Sequence, residues 1–159
     1  MNINIICVGK IKEKYFVDAI AEYSKRLSRY CKLQIIEVKD EMTPDGASEA
    51  IEEQIKRVEG ERIIAKIKPN TYTVALAIDG KTYDSPALAK HISKLSVDGN
   101  SEINFVIGGS LGLHSSVLSM ANEKLSFSPM TFPHQLMRVI LLEQIYRSYR
   151  IINNEPYHK

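Results

Sequence analysis

Little in this 159-residue chain suits a membrane, a secretory route or a metal centre. No run approaches the roughly 20 apolar residues that a bilayer-crossing helix needs. The opening stretch Asn2, Ile3, Asn4, Ile5, Ile6, Cys7, Val8 is short and lacks the positively charged start of a signal peptide, so it reads as a strand. Only two cysteines occur, Cys7 and Cys31, with neither metal-ligand spacing nor a disulfide framework. Both are expected as packing thiols in a reducing cytoplasm, and no metal is expected. Repeats, low-complexity segments and linkers are missing too, which with 44% hydrophobic content predicts one domain over residues 1–159 around one core. Two nucleotide signatures are also wanting. The first strand ends in Cys7-Val8-Gly9-Lys10 without the glycine cluster of a dinucleotide fold, and no Lys followed by Ser or Thr closes a phosphate loop.

What is present is unevenly distributed. The formal charge is only +2, yet residues 10–32 hold seven basic side chains (Lys10, Lys12, Lys14, Lys25, Arg26, Arg29, Lys32) against three acidic ones. Residues 40–61 reverse this, with eight acidic side chains against Lys56 and Arg57, and the C-terminal segment turns basic again with Arg138, Arg147, Arg150 and Lys159. Such polarity steers a polyanion onto one face and keeps it off another; the plainer alternative is a set of solvated helix faces. Strand-like and helix-period segments alternate: strands at residues 3–8, 33–38, 71–78, 103–107 and 124–126. Between them lie helices from about 13 to 29, with Tyr15, Phe16, Ala19, Ile20, Tyr23 and Leu27 at three- and four-residue steps, a long one through Ile51, Ile55, Val58, Ile63 and Ile64, one capped by Ser85 with Pro86, and a short one over 114–122. An Asp79-Gly80 turn is expected to close the third strand, and a final helix of about 20 residues follows Pro133. This order predicts an α/β fold with a mostly parallel sheet flanked by helices.

The densest chemical signal is in the last third. Phe105-Val106-Ile107 runs into Gly108-Gly109-Ser110-Leu111-Gly112-Leu113-His114, and a second polar loop, residues 126–133, follows within one helix length. Glycines at the end of a buried strand let peptide groups approach a ligand, so two such loops on neighbouring strand ends would form a pocket; a simple strand-to-helix turn is the alternative. The final helix, with Leu136, Met137, Val139, Ile140, Leu141, Leu142, Ile145, Tyr146 and Tyr149, is apolar round more than one stripe. It either threads the middle of the fold or meets a second subunit.

The segments INIICVGKIKEKY, INFVIGGSLGLH, LSFSPMTFPHQLMRVILLEQIYRSYRI and the terminal NNEPYHK resemble, from end to end, the RlmH family of the SPOUT superfamily, which methylates a pseudouridine of 23S ribosomal RNA. The resemblance implies an α/β trefoil knot over roughly residues 103–155, a homodimer, and S-adenosylmethionine held in the knot by backbone groups. Carried over, the cofactor contacts are Leu76, Gly108, Phe127, Ser128, Pro129, Met130, Thr131 and Phe132; core packing is the alternative for Phe127, Met130 and Phe132.

The implied acceptor is N3 of pseudouridine, whose imide N–H needs a base or stabilisation of the developing anion. The candidates are His158 as proton acceptor, with Arg147 and Lys159 holding phosphate or the anion. Many relatives end in arginine where this chain has Lys159, which keeps the charge but loses the two-pronged hydrogen bonding. Of the other histidines, His91 reads as surface or packing, His114 as a cap or lining of the glycine loop, and His134 as a neighbour of the cofactor loop. Lys25, Arg26 and Arg29 are expected to face RNA within the ribosome or its large subunit. Transfer RNA as substrate, or a non-catalytic ribosome-binding factor, are the alternatives.

Overall fold

A computed structural model describes residues 1–159. Five strands and five helices alternate: β1 (Asn2–Val8), α1 (Lys14–Leu27), β2 (Lys32–Val38), α2 (Glu49–Ile64), β3 (Tyr72–Thr82), α3 (Ser85–Val97), β4 (Glu102–Ile107), α4 (Ser115–Met120), β5 (Glu123–Ser126) and α5 (His134–Ile152). The strands form one parallel sheet in the order β2-β1-β4-β3-β5. The expected α/β architecture is therefore present.

Alternation along the strands builds two cores. Ile3, Ile5 and Cys7 of β1, with Ile103, Phe105 and Ile107 of β4, face one side, where Leu141, Leu142 and Ile145 of α5 and Leu88, Ile92 and Leu95 of α3 meet them. Ile6, Val8 and Val106 face the other, against Ile63 of α2 and Val117 of α4. Because both faces are covered, β4 is a continuous buried run rather than an alternating one. A polar seam pins the register near the start of the sheet: Asn4 donates to Asn104 at 2.9 Å, and Asn104 donates to Thr73 at 3.2 Å and Thr71 at 2.8 Å. A one-residue slip would break all three bonds.

Three local expectations are corrected. Asp84, not Ser85, caps α3, its carboxylate accepting from the Ala87 N–H at 2.8 Å; Ser85 Oγ donates instead to Gln144 of α5 at 2.7 Å. Asp79-Gly80 is not the end of β3, which runs on to Thr82 with a register jump against β5, so that both Leu76 and Lys81 face Leu125. Gly80 is required there by space: a Cβ would lie 2.7 Å from the Lys124 carbonyl carbon. Tyr15, expected on the buried stripe of α1, is 66% exposed and rests on Phe16.

Candidate functional site

The C-terminal ends of β3, β4 and β5 surround a cavity of about 840 Å³. That is ample for a nucleoside-sized ligand, and the mouths of parallel strands are where α/β sheets place one. The first wall follows β4. Gly108 has no room for a side chain, since a Cβ would stand 2.7 Å from the Gly112 carbonyl carbon and 2.9 Å from its oxygen. The loop closes on itself where the Gly112 N–H donates to the Gly109 carbonyl at 3.1 Å, with Gly112 at φ +85°. These are constraints on the backbone, and glycine alone meets them without strain.

The second wall is the segment after β5. Ser128 Oγ accepts from the Met130 N–H at 3.0 Å, and Ser126 Oγ donates to the Ser128 carbonyl at 3.3 Å, which folds the loop back over the strand end. The third is the excursion of β3 at Leu76, Ala77 and Ile78; the floor includes His134 and Met137 from the first turn of α5. No Asp, Glu, Lys or Arg lines the cavity, so recognition falls to peptide groups, a few hydroxyls and apolar side chains. A pocket of that kind suits a mainly apolar ligand whose few polar edges can pair with main-chain groups.

Of the eight sequence-derived cofactor residues, Leu76, Gly108, Phe127, Ser128, Met130, Thr131 and Phe132 line this cavity. Pro129 does not; it sits exposed on the outside of the loop. Ala77, Ile78, Leu118 and Met137 are lining residues not foreseen, and the unrecognised excursion of β3 accounts for the first two.

Arg138 anchors the floor. Its side chain is 2% exposed, with Nη1 donating to Glu37 at 2.7 Å and Nη2 donating to the carbonyls of Val8 and Gly9 at 2.9 and 2.8 Å. It thereby ties the first turn of α5 to the end of β1. Burial, then the nearby Arg138 guanidinium, push the His134 pKa below its ordinary 6.5, so the imidazole at the cavity wall is neutral near pH 7. Behind the glycine loop, Glu59 accepts from the Glu41 N–H at 3.0 Å, and burial raises its pKa.

The three catalytic candidates lie elsewhere. Arg147 donates to Glu143 through Nη2 at 2.7 Å and Nε at 3.0 Å, sits 4.6 Å from the centre of the Tyr157 ring, and donates through Nη1 to His158 Nδ1 at 3.2 Å. Arg147 and His158 are thus brought together, while Lys159 is exposed at the chain end. None of the three lines the cavity. Arg147 is separated from the first turn of α5 by about 20 Å of helix.

The two basic segments do converge. Where α1 packs on α5, Arg26 lies 5.4 Å from the Tyr23 ring and 5.7 Å from the Tyr146 ring, Arg29 lies 5.2 Å from Tyr30, and Arg150 donates to the Tyr30 hydroxyl at 3.1 Å. Lys25 is exposed beside them. His91, read as surface or packing, is bonded to Glu123 at 2.8 Å and stacked on Tyr83, and His114 caps α4 through Nδ1.

Comparison with known proteins agrees with this geometry. A family model described as "Predicted SPOUT methyltransferase" matches residues 1–158. The protein named "Ribosomal RNA large subunit methyltransferase H" from Clostridium novyi is 64% identical over 100% of both chains, and its namesake from Clostridium beijerinckii is 62% identical over the same share. Among solved structures, a probable methylase family protein from Haemophilus influenzae shares the fold with a TM-score of 0.56 at 13% identity, covering 99% of this chain and 70% of that one.

Proposed function

This chain belongs to the SPOUT methyltransferase family, in the group of ribosomal RNA large subunit methyltransferases H, and methylates large-subunit ribosomal RNA; from that premise we propose that the donor is S-adenosylmethionine and the acceptor N3 of a pseudouridine in 23S ribosomal RNA. The observation that carries the reading is the cavity at the ends of β3, β4 and β5, walled by peptide groups that side chains at Gly108 and Gly112 would obstruct or strain. Leu76, Gly108, Phe127, Met130 and Phe132 would hold the donor there, which supplies an electrophilic methyl on sulfur. The trefoil knot belongs to the same reading, with α5 threaded behind the loop after β4.

The chain's own residues must bring the imide and its proton into place. In the isolated subunit about 20 Å of helix separates Arg147, and the His158 it holds, from the cavity, so we assign the tail to the partner's cavity in a homodimer. The apolar rim supports a covering subunit, because Met130 is 73% and Ile78 56% exposed beside the cavity mouth. Arg147, held by Glu143 and Tyr157, fixes His158 rather than standing free for phosphate. An arginine only donates, so Nδ1 of His158 accepts and the neutral ring carries its proton on Nε2. In that state Nε2–H can stabilise an imide oxygen as negative charge develops. Uptake of the N3 proton requires the Arg147 contact to part as RNA docks, leaving Nδ1 free as the base. Lys159 adds positive charge beside it.

Methylation at N3 blocks the pairing edge and stops reverse transcription. Large-subunit RNA from cells carrying the gene should show a stop that disappears on deletion and returns with the wild-type gene but not with His158→Ala. Identical stops in the deletion strain would refute the assignment.

A further inference from the structure

A second concavity, of about 790 Å³, opens at the other end of the sheet, where β1 and β2 begin and α1 finishes. Its walls carry Arg29 and Lys32, the hydroxyls of Ser24 and Ser28, and Asn2, together with the first residue of the chain. No carboxylate lines it. Arg29 and Lys32 are exposed and form no salt bridge, unlike Arg26, Arg147 and Arg150, which are held by Glu22, Glu143 and Glu155. The groove continues through Tyr30, a wall residue that accepts from Arg150, into the tyrosine and arginine surface where α1 meets the tail.

We propose that this groove is a second RNA contact, taking the phosphodiester backbone of large-subunit ribosomal RNA a full strand length away from the donor cavity of the same subunit. The proposal rests on the ribosomal RNA reading above. The chemistry is that of a phosphate track: two cations without carboxylate partners, with the Ser24 hydroxyl and the Asn2 amide between them and no acidic group to repel the backbone. A protein of one small domain gains orientation from it. One contact places the methyl donor, and another about 20 Å off along the strands fixes the angle of approach.

The test uses full-length protein, labelled for anisotropy and titrated with large ribosomal subunits from cells lacking the gene, over a range of salt. The R29E/K32E variant should bind at least about tenfold more weakly at about 0.1 M salt, with a salt slope shallower by about 1.5, while R29K/K32R stays near wild type. S-adenosylmethionine binding measured by calorimetry should be the same for all three, which shows the fold intact. K56E/K66E, equal in charge change but on and after the acidic α2, should leave affinity within about twofold. Wild-type affinity and slope in R29E/K32E would overturn the groove, as would an equal loss in K56E/K66E. A loss with no change in slope would overturn it in favour of a ribosomal protein contact. If wild-type protein binds no S-adenosylmethionine, the enzyme reading fails separately, since the groove is read from RNA affinity alone.

Discussion

Replacing Arg138 with methionine removes a charge from a place where water cannot take over. Methionine fills much of the same volume, so the loss is polar rather than a cavity. The carbonyls of Val8 and Gly9 lose their bonds to Nη2, and Glu37 loses its partner at 2.7 Å. A stranded buried acceptor costs about 1–3 kcal/mol, and breaking a buried pair by removing one member about 3–5 kcal/mol. Glu37 is 37% exposed and rehydrates, which places the expected cost at the lower end, about 3 kcal/mol. Against a total of about 5–15 kcal/mol for a domain, that is a large share. In urea at pH 7 the midpoint should fall by about 1–2 M with an unchanged slope. Glu37→Gln keeps an oxygen facing Nη1 and should cost about 1 kcal/mol or less. If Arg138→Met stays within about 1 kcal/mol of wild type, the anchoring of α5 to the end of β1 has been misjudged.

Gly108→Ala should abolish S-adenosylmethionine binding in calorimetry, because its methyl would stand 2.7 Å from the Gly112 backbone; retained affinity would mean that the 108–112 loop does not form the donor wall. Mixing Gly108→Ala with His158→Ala chains, unfolded and refolded together, should restore about a quarter of wild-type methylation if cavity and tail come from different subunits, and none if they act within one. The His134 pKa is lowered on folding, so the unfolded chain binds the extra proton and stability should fall as pH drops below 6.5; His134→Gln should flatten that limb in pH-dependent urea melts. Glu59 is shifted the other way, so its burial costs stability as pH rises past 4.5. Glu59→Gln should therefore raise the midpoint at pH 7 and leave it unchanged near pH 4.

Periodicity revealed the order of elements because each strand and helix here buries a face in the pattern its geometry demands. The near-continuous apolar run of β4 announced a strand covered on both sides, and it lies between β1 and β3. Asp79-Gly80 misled because the pair is a turn signal, whereas Gly80 serves the close approach of two strands. Arg138 was counted among basic tail residues, although its spacing of three, four and seven from Leu141, Leu142 and Ile145 puts it on the buried stripe. The glycine loop was legible because Gly108 and Gly109 end a buried apolar strand, the mark of a close backbone approach, whereas Ser128 and its neighbours were named as cofactor contacts only through the family resemblance. That Arg147 holds His158 was not, because the tail's return along α5 depends on left-handed backbone at Asn154 and on the Arg150–Glu155 pair.

The jump in register between β3 and β5 has a consequence for how such a protein can change. Residues 77–80 are spliced into β3 without partners on β5, and pairing resumes afterwards on the same leucine. Insertions or deletions in that stretch alter the aperture of the cavity while every ladder on either side stays in step. Of the three walls it is the one built into a strand, and its length can be retuned without shifting the pairing on either side.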